Sequence, residues 1–208
     1  MATGIRLYLV TGDDVVLGQW VDQLIAVTTE QGFPHWRAMG MVCRGWVKVK
    51  CGDVVEGISL LRSGSTAYRA AGAWAPHNTA LLAAAYEIAG QIEESLAQLT
   101  DALQIVERTG ERWLEAELNR HKGQLLLRQG HTEAAEELYR KALGIAAEQG
   151  AKLWELRAAA SLARLRRDQG RHTEARDLLA PVYGWFTEGF DTPDLKEAKA
   201  LLDTLDRP

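Results

Sequence analysis

Five histidines and two cysteines are the side chains best suited to metal binding, and their spacing does not favour a metal site. None of the histidines stands three or four residues from another histidine or from a cysteine, which is the spacing a helical metal site needs. Cys43 and Cys51 lie eight residues apart, about two helical turns, which is too far for a disulfide between them. We therefore expect no metal and no cofactor, and we interpret both cysteines as small buried residues of a reducing compartment.

Carboxylates and hydroxyls that could act in catalysis are present, but their positions favour a structural interpretation. Glutamates cluster at Glu93–Glu94, at Glu115 and Glu117, and at Glu133, Glu136 and Glu137. Most of them fall near predicted helix starts, where negative charge interacts favourably with the helix dipole. The sequence contains no serine in a nucleophile elbow and no phosphate-binding glycine loop. We therefore expect no catalytic residues and no enzyme activity.

Charge and hydropathy exclude two further classes of function. The formal net charge is -4, with 24 basic and 28 acidic side chains, which argues against a general affinity for nucleic acid. Residues 1–10 lack the pattern of a secretory signal, and no run of 18 apolar residues occurs that could span a membrane. The sequence therefore predicts a cytoplasmic protein.

Two interleaved series of glycines, each with a step close to 40 residues, define the elements that position the side chains. The first series is Gly12, Gly52, Gly90, Gly130 and Gly170, and the second is Gly32, Gly72, Gly110, Gly150 and Gly189. Between glycines, apolar residues such as Ile92, Leu96, Leu99, Leu103 and Val106 follow a helical period. Each repeat is thus predicted to be a helical hairpin, with Asp13, Asp53, Thr132 and Thr173 as candidate N-caps.

Small residues recur at the positions where two helices of a hairpin would approach closely. Gly45, Ala83, Gly123 and Ala163 stand seven residues before the turn glycine, and Gly57, Ser95, Ala135 and Ala175 stand five after it. Large residues follow at Leu61, Leu99, Tyr139 and Leu179, and a mostly small set at Gly64, Ala102, Ala142 and Val182. This pattern resembles the tetratricopeptide repeat, although the period exceeds the usual 34 residues.

The resemblance implies an all-α fold, a right-handed superhelix of antiparallel helical hairpins. We expect a single solenoid over residues 1–208, with a partial hairpin at 1–32, full hairpins at 33–72, 73–110, 111–150 and 151–189, and a capping helix at 192–205. Thr192 is the predicted N-cap of that helix and Pro193 its first residue. The partial hairpin leaves the apolar face of Val16, Leu17, Val21 and Leu24 without a full partner, which suggests a homodimer through this end.

Two stretches resemble a narrower family. Residues 132–143 and 178–205 are similar to the C-terminal helical repeats of large bacterial regulators, which follow an ATPase module and a cyclase catalytic or DNA-binding domain. The resemblance implies that the repeats sense or dock while upstream domains do chemistry. A start inside a repeat fits the excised tail of such a regulator.

In tetratricopeptide repeats the first helix of each hairpin lines a concave groove, and its register predicts the residues that face a partner. These are Trp46, Lys50, His77, Glu87, Arg120, Gln124, Arg128, Arg157, Arg164 and Arg167. The groove is apolar with an aromatic toward the N-terminus and arginine-rich toward the C-terminus, which favours an acidic peptide with apolar anchors. Alternatively, the arginines are solvated or paired with Glu117, Asp168 and Asp177.

Two functions follow from these patterns. The first is a non-catalytic scaffold that binds a protein or peptide in the groove. The alternative is a sensory or regulatory tail of a nucleotide-cyclase or ATPase system, which binds a small molecule or its own catalytic partner.

Overall fold

A computed structural model describes residues 14–72 and 75–205, with side chains from residue 18 onward, and every regular element in these ranges is an α-helix. The helices are α1 (Asp14–Glu30), α2 (Pro34–Lys50), α3 (Val54–Ala70), α4 (Pro76–Ile88), α5 (Ile92–Thr109), α6 (Glu115–Arg128), α7 (Thr132–Glu148), α8 (Lys152–Asp168), α9 (His172–Tyr183) and α10 (Pro193–Leu205). The predicted all-α class is confirmed within these ranges. Gly12 and Asp13 lie outside them.

The chain forms two compact units, Met1–Glu111 and Arg112–Pro208. In the first unit each helix from α1 to α5 packs on the next, and α2 also contacts α4. In the second unit each helix from α6 to α10 packs on the next, α6 contacts α8, and α8 contacts α10. Short turns make consecutive helices antiparallel neighbours. A single continuous solenoid over both units stays a prediction.

Glycines of both series follow the helix ends as predicted, except Gly189, which lies six residues beyond the end of α9. Every described member of both series, from Gly32 to Gly189, has a φ between 63° and 94°. The turn after α2 shows the mechanism: the Gly52 amide donates to the Val49 carbonyl, and the Asp53 amide donates to the Lys48 carbonyl. This is a Schellman motif, which needs a left-handed residue just after the helix.

The predicted small residues allow close contact between the helices of a hairpin. A Cβ added at Gly45 would stand 2.7 Å from the Gly57 carbonyl oxygen and 2.7 Å from the Leu61 amide nitrogen. In the next hairpin the fully buried Ser95 donates its hydroxyl proton to the Ala83 carbonyl at 2.7 Å. Helix backbones in direct contact leave no room for larger side chains.

The N-cap position predicted for Asp53 is confirmed, whereas the predictions for Thr132 and Thr173 were wrong. Asp53 stands at the N-cap of α3 without a side-chain cap bond, and its carboxylate instead pairs with Lys48 at 3.1 Å. Thr132 and Thr173 lie inside the first turns of α7 and α9, because His131 and Arg171 are the N-caps. The first-turn acids Glu133 and Glu174 remain favourably placed for the helix dipoles.

The last two helices cover the end of the second unit. α9 contains Pro181 and ends two residues later at Tyr183. Pro193 is the first residue of α10, and the Thr192 hydroxyl donates to the Gly189 carbonyl at 2.7 Å. The apolar side of α10 is buried against α8 and α9 through Leu195, Ala198, Leu201, Leu202 and Leu205.

Candidate partner-binding groove

Helices α6, α7, α8 and α10 of the second unit line a cavity of about 550 Å³, which we call the arginine groove. It is lined by Arg120, Gln124 and Leu127 of α6, Tyr139 of α7, Leu156, Arg157, Ala160, Ser161, Arg164, Leu165, Arg167 and Asp168 of α8, and Asp194 and Glu197 of α10. Four arginines and three carboxylates therefore share one concave surface.

Helical spacing explains why these side chains converge. Ala160 and Ser161 stand three and four residues after Arg157, and Arg164 stands three residues after Ser161, so all four occupy one face of α8. Arg120, Gln124 and Leu127 do the same on α6.

Arg120 is held by a buried carboxylate. Its Nε and Nη2 donate to Glu117 Oε2 and Oε1 at 2.7 and 2.9 Å, and both side chains are less than one fifth exposed. Burial by itself raises the pKa of Glu117, but Arg120, together with Arg157, holds that pKa below its ordinary value. The groove end of α6 therefore carries a fixed, ionised pair.

Arg157 is held by the capping helix. Its Nε and Nη2 donate to the two oxygens of Asp194 at 2.6 and 2.8 Å, and its Nη1 lies 3.5 Å from Glu117 Oε1. The guanidinium carbon also stands 5.0 Å from the centre of the Trp154 ring. Two carboxylates and one aromatic face thus fix this cation.

Arg164 and Arg167 make looser pairs. Arg164 lies 2.9 Å from Glu197 Oε2, and their side chains are 40% and 68% exposed. Arg167 pairs with its neighbour Asp168 at 2.8 Å. Exposed ion pairs of this kind contribute about 0–1 kcal/mol, so water or another anion replaces their carboxylates at small cost.

Tyr139 supplies a polar group deep in the arginine groove. Burial raises the pKa of its hydroxyl, although Arg120 and Arg164 act in the opposite direction. The hydroxyl is therefore neutral near pH 7 and can donate a hydrogen bond. Its ring packs closely on α6, since a Cβ added at Gly123 would stand 2.9 Å from Cε1.

The ten predicted groove residues divide between the two units. Six lie in the second unit, and five of these line the arginine groove: Arg120, Gln124, Arg157, Arg164 and Arg167. Arg128 is not among the lining residues, so its contact with a partner stays a prediction.

The other four predicted residues belong to α2 and α4 of the first unit. Trp46 is half-buried against two core clusters, with Lys50 Nζ 5.9 Å from the centre of its ring. His77 is only 5% exposed, and Glu87 is half-buried. A partner contact at these four positions likewise stays a prediction.

Sequence reasoning missed the acidic contribution of α10. Asp194 and Glu197 stand three residues apart near its start, so they share the face that meets Arg157 and Arg164. The spacing was visible in the sequence, but the helix was interpreted only as a cap. Tyr139 was recognised as the large residue of its repeat and not as a groove residue.

Three other sequence-based expectations concern metals, thiols and self-association. Among the described residues, no group of three or more histidines, cysteines and acids is placed to hold a metal ion. Cys43 is buried as expected, whereas the prediction for Cys51 was wrong, because it is exposed at the end of α2. Val21 and Leu24 are buried within the first unit, so they are not available to a second copy of the chain. A homodimer through the N-terminal end stays a prediction.

Within the described part of the chain, no helix is both long enough and apolar enough to cross a membrane.

Comparison with known proteins identifies the repeat. The tetratricopeptide repeat model matches residues 76–148. No protein of curated function matches the sequence.

Solved structures of similar fold include three that cover most of this chain. BtubC (BKLC) from P. vanneervenii has a TM-score of 0.70 at 15% identity, covering 93% of this chain and 88% of that one. A kinesin light chain candidate from Podosopora anserina with nearly identical TPR-like repeats has a TM-score of 0.59 at 19% identity, covering 98% and 94%. MamA has a TM-score of 0.55 at 14% identity, covering 96% and 95%. The tetratricopeptide-like helical fold is thereby confirmed, while the similarity to bacterial regulator tails stays a prediction.

Proposed function

We propose that this chain is a non-catalytic protein-interaction module, and that its arginine groove binds an acidic segment of a partner protein in the cytoplasm. The observation that carries the proposal is the pair of loosely held cations, Arg164 and Arg167, which line a cavity together with apolar residues. Tetratricopeptide-like repeats build concave surfaces of this kind for peptides and proteins.

The arginines of the groove are suited to bind carboxylates, as their partners within the chain illustrate. Asp194 engages Arg157 through two parallel hydrogen bonds, the geometry in which planar guanidinium and carboxylate groups match. Glu197 reaches Arg164 through a single hydrogen bond. A partner carboxylate could replace Glu197, or Asp168 on Arg167, without leaving a buried charge unpaired.

Leucines of the groove supply contacts for apolar anchors. Leu127, Leu156 and Leu165 line the cavity beside the guanidinium groups. A segment with acids at one end and apolar residues at the other would satisfy both parts of the surface. Arg120 and Arg157 hold the framework in this proposal, and Arg164 and Arg167 are the exchangeable contacts.

Fluorescence anisotropy with a labelled peptide tests this assignment. The peptide carries two glutamates three residues apart followed by two leucines, and a matched peptide carries glutamines instead. We expect only the acidic peptide to bind, and the double variant Arg164→Gln/Arg167→Gln to weaken its affinity by about tenfold or more.

The matched control is Arg140→Gln/Arg171→Gln, which removes two paired arginines, one exposed and one half-buried, that do not line the cavity. It should leave the affinity unchanged. Equal weakening by both double variants would indicate binding by net charge alone and would contradict a groove site, as would equal binding of the two peptides.

We also propose, as a second candidate, a regulatory tail of a cyclase or ATPase system. Residues 132–143 and 178–205 support it through their resemblance to such tails. The DNA upstream of the reading frame tests it: an adjacent frame for an ATPase or cyclase domain supports this candidate, and an isolated gene contradicts it.

Self-association is tested separately by light scattering, where a strictly monomeric species would contradict a homodimer.

A further inference from the structure

A separate polar cleft lies in the first unit, between α3, α4 and α5. Its inner part is a cavity of about 260 Å³. Arg62, Ser65, Thr66 and Arg69 of α3 line one side of it, and Thr79 and Tyr86 of α4 line the other. Among the described residues that line this cavity, none carries a carboxylate. We call this cavity the hydroxyl cleft.

The repeat geometry brings these groups together. The four α3 residues follow at steps of three, one and three, which places them on one face of that helix. Thr79 and Tyr86 are seven residues apart, two turns along one face of α4. Because α3 and α4 pack side by side, the two polar faces meet.

Two groups of the hydroxyl cleft have no partner in the described part of the chain. Ser65 is 6% exposed, and its Oγ has no hydrogen-bond partner there. Arg62 makes no ion pair with a described carboxylate, whereas Arg69 lies 3.5 Å from Asp101 Oδ2. A buried hydroxyl without a partner costs about 1–3 kcal/mol, so it requires an explanation in a ligand or in function.

The hydroxyl cleft thus differs in kind from the arginine groove. In the arginine groove, carboxylates of the chain engage all four arginines. In the hydroxyl cleft, an unpaired guanidinium and several hydroxyls are available, which together can donate to several oxygens of one tetrahedral anion. Phosphate offers that number of acceptors and the opposite charge.

A wider, shallower cavity of about 860 Å³ continues outward from this one and shares Arg62, Thr66 and Tyr86 with it. Its remaining lining includes Ile58, Ala67 and Ala70. We propose that this continuous cleft binds a small phosphate monoester, whose phosphate enters the hydroxyl cleft and whose organic part lies against Tyr86 and Ile58. The site is independent of the arginine groove and of the function proposed for it.

Isothermal titration calorimetry of the full chain with inorganic phosphate and with phenyl phosphate tests the proposal. We expect both to bind, and phenyl phosphate to bind more tightly because its ring is removed from water. Arg62→Gln should weaken phenyl phosphate binding by about tenfold or more, because it removes charged hydrogen bonds. Ser65→Ala should weaken it by roughly fivefold.

The Ser65→Ala variant guards against misfolding as a cause of lost binding. It removes a hydroxyl without a partner, so the unfolding temperature of the free protein should stay the same or rise. The matched control is Arg37→Gln, which removes an exposed arginine of α2 outside both cavities.

Loss of binding in the two cleft variants, with the control unchanged, supports the site. The site is overturned if neither probe binds, if both cleft variants bind phenyl phosphate as the original chain does, or if Arg37→Gln weakens binding as much as Arg62→Gln. Phenyl phosphate binding no tighter than inorganic phosphate would also overturn it, since the wider cavity would then take no part.

Discussion

Burial decides which arginine pairs stabilise the second unit and which stay open to exchange. Arg120 and Glu117 are both mostly buried, and two carboxylates face Arg157. Removing one partner of such a group leaves the other charge without compensation in a site with little water. At Arg164, water already reaches both partners, so the loss of Glu197 would matter little.

Glu117→Gln should therefore lower the free energy of unfolding by about 1–3 kcal/mol, because it leaves Arg120 without its ionised partner. Urea denaturation near pH 7, followed by circular dichroism, measures this change. The control is Glu174→Gln, which removes the exposed partner of Arg171 and should change the unfolding free energy by no more than the experimental error. An equal loss of unfolding free energy in the two variants would show that the buried pair stabilises the chain no more than the exposed pair does.

The stabilisation by the Glu117 carboxylate should depend on pH, and the Glu117→Gln variant measures this dependence. Arg120 and Arg157 lower the pKa of Glu117 in the folded chain despite burial, so its ionised form is favoured by folding. This stabilisation is fully present above the pKa of unfolded glutamate, about 4.3, and is lost as pH falls through the lower folded value. The stability difference between Glu117→Gln and the original chain should thus shrink toward pH 3. A constant difference would contradict the assignment.

At the scale of the helix, close backbone contact explains why particular positions must be small. Gly45 of α2 faces Gly57 of α3 so closely that an added Cβ would overlap backbone atoms, which cannot rotate away. Gly144 of α7 is also helical, but apart from its chain neighbours and the nearby backbone of its own helix, no atom lies within 4 Å of a Cβ added there. Gly45 and Gly144 are both helical glycines, and only the space available to an added Cβ differs between them.

Gly45→Ala should destabilise the chain by about 1–3 kcal/mol or more, because α2 and α3 must separate to accept the methyl group. Gly144→Ala should stabilise it by about 0.5–1 kcal/mol, since alanine loses less conformational entropy in a helix. Thermal unfolding of the two variants measures both signs. Stabilisation by Gly45→Ala would mean that the helices are not in contact at this point.

The same residues show which features a sequence can predict. The small positions and the turn glycines were predictable, because each depends on a repeated local requirement for close contact or positive φ. The link between Arg157 and Asp194 was not, since it joins residues 37 positions apart and depends on how α10 docks. Ser65 gave no signal either, because its missing partner is visible only when α3 and α4 are packed together.

At the scale of the whole molecule, each unit has core clusters of its own. In the first unit, one cluster joins Val21, Met39 and Tyr68, and another joins Val42, Leu61 and Leu82. In the second unit, one cluster joins α8, α9 and α10 through residues such as Leu156, Leu179 and Leu201, and another packs around Tyr139. Burial of this kind is the main source of folding free energy.

The second unit should consequently fold when produced alone as residues 112–208. Its helices bury their own apolar faces, and every residue lining the arginine groove lies within it. We expect a helical circular dichroism spectrum, cooperative thermal unfolding, and affinity for the acidic peptide within about threefold of that of the full chain, a difference of less than 1 kcal/mol.

Residues 132–208 form the comparison fragment, because they lack α6 and with it Arg120, Gln124 and Leu127. This shorter fragment should lose peptide binding, since one wall of the groove is gone. If residues 112–208 were unfolded while the full chain remained helical, the second unit would depend on the first for stability, and the groove could not be treated as an independent site.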